Sequence, residues 1–208
     1  MYRIVTVSRE YGSGGAAIAA ALAKELGWTL FDRAFITAVA HAAKVDPALA
    51  RTYDERLDSW IHRVSKHALW RGAFEHVAVA DESVFFDAET MAALTAETIK
   101  QAAGMGNCVI VGRGAQCLLQ SRSDAFHVFV YAPLQQRIER LRTRVTGRTP
   151  LEELALATDK SRAEYIRAHF GCDWKDLHLY HLMVNSCLGE RRVVSLIFHA
   201  AELGKQAG

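Results

Sequence analysis

The sequence lacks any apolar run approaching the roughly 18 to 20 residues that a membrane-spanning helix needs, which argues against a helical membrane protein. It also lacks an excess of one charge. The 25 Lys and Arg are nearly matched by 23 Asp and Glu, so no global basic field of the kind nucleic-acid binding relies on exists. Cysteine is sparse: Cys108, Cys117, Cys172 and Cys187 are widely spaced and form no C-x-x-C pair. The first residues read as a strand and not as a charged and apolar signal peptide, so the expectation is a cytosolic chain with reduced thiols. The nine histidines include no H-E-x-x-H and no paired ligand spacing, which leaves them solvent or core roles; His181, on an apolar run, reads as an interior or edge residue. None of the six tyrosines is followed four residues later by lysine, the pair a short-chain dehydrogenase would need. Repeats, low-complexity tracts and a clear linker are absent as well.

What is present is enough apolar material for a sizeable core. Half of the 208 residues are hydrophobic, which suits one domain with a smaller appended lobe. Strand-like runs are found at 2–7, 28–31, 108–111, 125–131 and 180–185. Helical spacing is found at 16–26, 32–43, 88–103, 134–144, 151–169 and 190–203. Strands alternating with helices of ten or more residues predict parallel strands and right-handed crossovers, hence an open, doubly wound α/β sheet of about five strands. Ligands of such sheets sit at the carboxyl ends of the strands. Residues 45–85 carry Trp60, Trp70 and Phe74 among many charges with no strand period, and read as a helical insertion. Those aromatics could stack on a base, although a core role is the commoner use.

Between the first strand and first helix, the turn Ser8 to Ala17 holds Gly12, Gly14 and Gly15. Glycines there let the backbone turn sharply and approach a ligand while the first N–H groups of the helix point at it, which makes the turn an anion site. Two phosphate-binding patterns compete for it. Against G-x-x-x-x-G-K-[ST], the segment Arg9-Glu-Tyr-Gly-Ser-Gly-Gly15-Ala has only the inner glycines right. Gly15 stands at the lysine and Arg9 at the first glycine. Against G-x-G-x-x-[GA], Gly12, Gly14 and Ala17 all fit, and Asp32 falls 20 residues on, where an acid would hold a ribose hydroxyl. On this segment alone the dinucleotide pattern scores better.

Beyond the turn, four further segments in order resemble the cytidylate kinase-like family, relatives of bacterial CMP kinase in the P-loop nucleoside monophosphate kinase group. They are Phe31-Asp32-Arg33, Val109-Ile-Val-Gly112-Arg113-Gly114, Asp159-Lys160-Ser-Arg162, and Tyr165 through Gly171 and Trp174 to Tyr180-His-Leu-Met-Val-Asn185. The opening Ser8-Arg-Glu-Tyr-Gly-Ser-Gly-Gly15 is similar to that family's own, which commonly has glycine in place of the lysine. The resemblance implies transfer of the ATP γ-phosphate to a nucleoside monophosphate such as CMP. It implies nucleotide contacts from Tyr11, Gly12, Ser13, Gly14, Gly15 and Ala16, with a hydroxyl from Ser13 or Ser8. It implies an acceptor site from Asp32, Arg33, Arg113 and Asp159, with Gly114 standing where CMP kinases have aspartate. It also implies an arginine-bearing lid over about 142–172.

Phosphoryl transfer asks a protein chiefly to align two polyanions and neutralise charge that spreads over the transferred group. With no lysine in the turn, the cations fall to Arg9, Arg113 and Arg162. The wider set Arg137, Arg140, Arg142, Arg144, Arg148 and Arg167 suits a lid, or else a solvated basic face paired with Glu139, Glu152, Glu153 and Glu164. No carboxylate ends the 108–111 strand, so Mg²⁺ is expected on substrate phosphates, water and one hydroxyl, with no dedicated protein ligand. The expected partners are nucleotide small molecules, with a homodimer left open, and neither nucleic acid nor membrane. A non-catalytic nucleotide-binding protein, and an NAD(P)-dependent oxidoreductase, stand as the other readings.

Overall fold

The computed structural model describes residues 1–32, 88–145 and 150–203. The expected helix over 32–43, the 45–85 insertion with Trp60, Trp70 and Phe74, and the side chains of Arg33 and Arg148 lie outside the described residues. The chain divides into two compact units, Met1–Asp32 with Ala102–Gly208, and Arg33–Gln101. The second is described only over Ala88–Gln101, a helical stretch that carries the i,i+4 contact from Gln101 to Glu97.

The first unit is built on a five-stranded parallel sheet. Its strands are β1 (Ile4–Arg9), β2 (Thr29–Phe31), β3 (Cys108–Val111), β4 (Ala125–Tyr131) and β5 (Leu182–Asn185), in the order β2-β3-β1-β4-β5. The central strands Ile-Val-Thr-Val, Cys-Val-Ile-Val and Ala-Phe-His-Val-Phe-Val are buried on both faces, which is why they read as near-continuous apolar runs and not as alternation. The helices in chain order are α1 (Gly15–Leu26), α2 (Ala88–Met105), the four-residue α3 (Ala115–Leu118), α4 (Leu134–Arg142), α5 (Leu151–Phe170) and α6 (Glu190–Ala200). None among the described residues is long and apolar enough to cross a membrane.

Helix α1 forms from an alanine-rich run and buries Ile18, Ala19, Leu22 and Ala23, one stripe at i, i+1, i+4, i+5, against the sheet and Val193, Val194 and Ile197 of α6. Gly27 ends it in the left-handed conformation, with Trp28 N–H on the Ala23 carbonyl and Gly27 N–H on that of Lys24. Two of the boundary differences from the sequence expectation have a visible cause. Strand β1 runs on through Ser8 and Arg9, because both pair with β4 at Phe129 and Val130. The last strand begins at Leu182, since 177–179 forms a single 3₁₀ turn first. Because β3 and β4 flank β1 on opposite sides, the connections diverge at its carboxyl end, and that is where this architecture opens a ligand crevice.

Candidate functional site: a lysine-free phosphate turn

The turn at that point is shorter than expected, Glu10 to Gly14, and its form follows from its glycines. Gly12 and Gly14 both adopt positive φ, 80° and 82°. Gly12 is further constrained by α4: a β-carbon on it would lie 2.9 Å from the Arg137 carbonyl oxygen and 3.1 Å from Leu141 Cδ1. Gly14 caps α1 without a side-chain bond, so the first N–H groups of the helix have no intrahelical acceptor. Ser13 is fully buried, with its Oγ 3.4 Å from the Gly15 amide; Ala16 is exposed on the first turn of α1. Ser8 is buried on β1, its hydroxyl beside the Tyr180 phenol.

Arginines fasten this turn from outside. Arg137, 4% exposed, donates Nε–H to the Tyr11 carbonyl at 2.7 Å and pairs through Nη2 with Asp159 Oδ2 at 2.5 Å and through Nη1 with Glu10 Oε2 at 3.3 Å. Arg140, one turn on, donates Nη1–H to the Ser13 carbonyl and to Ser186 Oγ, both at 2.9 Å. Asp159, on α5, accepts the Tyr11 amide at 2.8 Å through Oδ1. Burial pushes its carboxyl up from the ordinary range; the Tyr11 amide, Arg137 and Arg162 pull the other way. Arg162 donates to the Arg9 carbonyl at 2.8 Å, sits 3.5 Å from Asp159 Oδ1 and lies 5.5 Å above the Tyr11 ring. Glu10 also accepts from the Ala132 amide and from Lys175.

Arg9 closes β1 and crosses the site. Its stem fills the space beside Gly15, where a β-carbon would stand 2.6 Å from Arg9 Cβ and 3.2 Å from Val130 Cβ. Its guanidinium reaches the Gly112 backbone, in space that a side chain on Gly112 would need. There Gly112, Arg113 and Gly114 all hold positive φ, at 70°, 60° and 72°. For Arg113 that conformation is strained, costing on the order of 1–2 kcal/mol. Its guanidinium lies beside the Tyr165 phenol, whose pKa burial raises and Arg113 draws back down. The Phe170 ring occupies the place of a side chain on Gly114, so an aspartate there has no room. Asp32 follows β2 directly, and the Phe31–Ile110 pairing sets it at the same sheet end as Gly112.

The fold thus brings Arg9 together with the Gly112–Gly114 turn, and Tyr11 together with Asp159 and Arg162. Glu10, Ser186 and the Phe170 ring escaped the sequence reading, which had Arg137 and Arg140 only as members of a basic, lid-like set. The only trace of the arginine clamp was the i,i+3 spacing of Arg137 and Arg140 on an arginine-rich helix. A further buried group stands nearby: Gln116, fully buried on α3, has no hydrogen-bond partner for either amide atom.

A five-stranded parallel sheet flanked by helices, with a glycine turn after its central strand, defines a P-loop kinase-like fold. Over residues 4–187 the chain matches the model of the cytidylate kinase-like family, and it belongs to that family. A cytidylate kinase of Methanosarcina mazei is 30% identical over 82 residues, 38% of this chain; the match spans only 46% of that enzyme's length. Among solved structures, an uncharacterised protein of Eubacterium ventriosum superposes with a TM-score of 0.69 at 19% identity, covering 97% of this chain and 99% of that one. A shikimate kinase of Bacteroides thetaiotaomicron superposes at 0.51 and 16% identity (96% and 98% covered), and a gluconokinase of Sinorhizobium meliloti at 0.51 and 13% (97% and 94%). These likenesses establish the fold.

Proposed function

We propose that the protein is a nucleotide kinase that transfers the γ-phosphate of ATP to a nucleoside monophosphate, with CMP the first candidate. The carrying observation is the path of Arg9, which runs from the phosphate turn, over Gly15, to the Gly112–Arg113 turn. A cation on that path lies between donor and acceptor subsites, where transferred charge develops. The turn fits an oligophosphate, since Gly12 and Gly14 adopt the left-handed conformation of anion-binding nests and α1 offers its first amides. Tyr11 to Ala16 would form the nucleotide side. Asp32 and Arg113 would form the acceptor side, with Arg162 and Asp159 at the margin between the two sides. Arg9, Arg113 and Arg162 are the charge-neutralising groups in this reading. Mg²⁺ would arrive with the nucleotide, held by its phosphates, water and one hydroxyl.

The space beside Gly15 favours a second reading, a nucleotide-binding protein without turnover, because a lysine side chain cannot enter there. A thermal-shift screen with ATP, GTP, NAD, NADP and the four monophosphates tests both. A ligand at 100 times its Kd stabilises the native state by about 2.7 kcal/mol. ATP and one monophosphate are expected to stabilise, and radiolabelled ATP is expected to pass its γ-phosphate to that monophosphate. Binding without transfer to any acceptor supports the second reading; stabilisation by NADP and not by ATP refutes both.

A further inference from the structure

Of the three arginines of α4, Arg142 is exposed, whereas Arg137 and Arg140 turn inward and end on carbonyl oxygens of the phosphate turn. Arg137 holds the Tyr11 carbonyl at 2.7 Å and Arg140 holds the Ser13 carbonyl at 2.9 Å. The peptide bonds that follow are trans, so each C=O is antiparallel to the next residue's N–H. Fixing the Tyr11 oxygen toward Arg137 therefore turns the Gly12 amide away from it, and fixing the Ser13 oxygen toward Arg140 turns the Gly14 amide away likewise. Gly12 and Gly14 are the two left-handed residues of the turn. A glycine-rich turn has many accessible backbone states, and the turn's own side chains supply only the long contact from the Gly15 amide to Ser13 Oγ at 3.4 Å to select one. Each guanidinium is itself held from behind. Arg137 is pinned by Asp159 and Glu10, and Arg140 by Ser186 Oγ at 2.9 Å and the Ser186 carbonyl at 3.4 Å.

We infer that Arg137 and Arg140 are positioning residues that orient the Gly12 and Gly14 amides toward an oligophosphate by holding the preceding carbonyls on the opposite side. The inference rests on the proposal that the turn binds nucleotide phosphates. It gives these two arginines a task other than touching the phosphates, which their place in a basic, lid-like segment would suggest. It also assigns Ser186, at the end of β5, to the site as the anchor of Arg140.

The test is pyrophosphate and ATP titration of the wild type, Arg140→Met, Arg140→Lys and Ser186→Ala, followed by calorimetry and by amide ¹H–¹⁵N shifts. In the wild type, pyrophosphate is expected to move the Gly12 and Gly14 amide protons downfield. Arg140→Met removes one charge-assisted bond, so pyrophosphate should bind at least about tenfold more weakly, with the Gly14 shift lost and the Gly12 shift kept. Arg140→Lys, which restores a donor, should recover most of both. Ser186→Ala should give the same residue-specific pattern at a smaller amplitude, and it guards against an Arg140→Met protein that does not fold. Wild-type failure to bind either pyrophosphate or ATP overturns the phosphate reading itself. Wild-type binding with unchanged affinity in Arg140→Met, or with the Gly12 and Gly14 shifts weakened equally in both variants, overturns the positioning role alone.

Discussion

The stem of Arg9 stands where a side chain on Gly15 would go: a β-carbon on Gly15 would meet Arg9 Cβ at 2.6 Å and Arg9 Cγ at 3.1 Å. The two positions are those at which this turn departs from G-x-x-x-x-G-K, arginine for the first glycine and glycine for the lysine. The departures are therefore one exchange. A cation enters from the strand side, and the helix side is emptied to let it pass.

This exchange predicts that reinstating the lysine alone is harmful. Gly15→Lys is expected to weaken ATP binding about tenfold or more through overpacking against Arg9 and Val130, and Arg9→Gly to weaken it through loss of the cation. The double variant Arg9→Gly/Gly15→Lys should bind ATP better than either single variant, a coupling that a double-mutant cycle by calorimetry would measure. Tighter ATP binding by Gly15→Lys on its own would refute the exchange.

Arg113 holds φ 60°, a conformation glycine adopts freely. Arg113→Gly should leave folding stability within about 1 kcal/mol of the wild type, since relief of backbone strain offsets the lost contact with Tyr165. Acceptor KM should rise about tenfold or more, as for a lost charge-assisted hydrogen bond, while ATP affinity stays within about twofold. Denaturant unfolding and steady-state kinetics read the two effects separately. An equal loss of ATP and acceptor binding would remove Arg113 from the acceptor side.

His127, 2% exposed at the centre of β4, bonds through Nδ1 to the Thr6 hydroxyl at 2.8 Å and stacks on His181. Burial, reinforced by the charge of His181, lowers its pKa from 6.5 to about 4. The unfolded chain thus takes up a proton between those values that the folded chain refuses. Stability is intact above pH 6.5 and falls as the pH drops toward 4, by up to about 3 kcal/mol from this residue. His127→Gln removes the titration, so its unfolding free energy should show a shallower acid limb between pH 6.5 and 4.5, measured by urea denaturation. Parallel acid limbs in the two proteins would show that His127 does not titrate this way.

Much of this was legible in advance because it depends on local chemistry. The parallel sheet followed from β-branched runs alternating with helices. The tight turn followed from three glycines between a strand and a helix. Other features were hidden for identifiable reasons. Ser8 and Arg9 looked like turn residues because polar side chains next to glycines resemble a loop, yet pairing with Phe129 and Val130 makes them strand. Gly114 read as a lost aspartate, and only the packing of Phe170, 56 positions along the chain, explains why no side chain is there. Arg137 and Arg140 read as part of a basic lid or of a solvated basic face, since nothing in a helix sequence says whether a guanidinium meets water, phosphate or a carbonyl.

The sequence by itself determined the elements, their order, the family and the place of the glycine turn, because hydrophobic period, glycine placement and motif order act over a few residues. Tertiary structure alone decided which arginines serve that turn and from which side. A long, flexible cationic side chain takes its role from the partners the fold brings within about 3 Å of it. Here those partners are Asp159 and Glu10 for Arg137, Ser13 and Ser186 for Arg140, and the empty flank of Gly15 for Arg9.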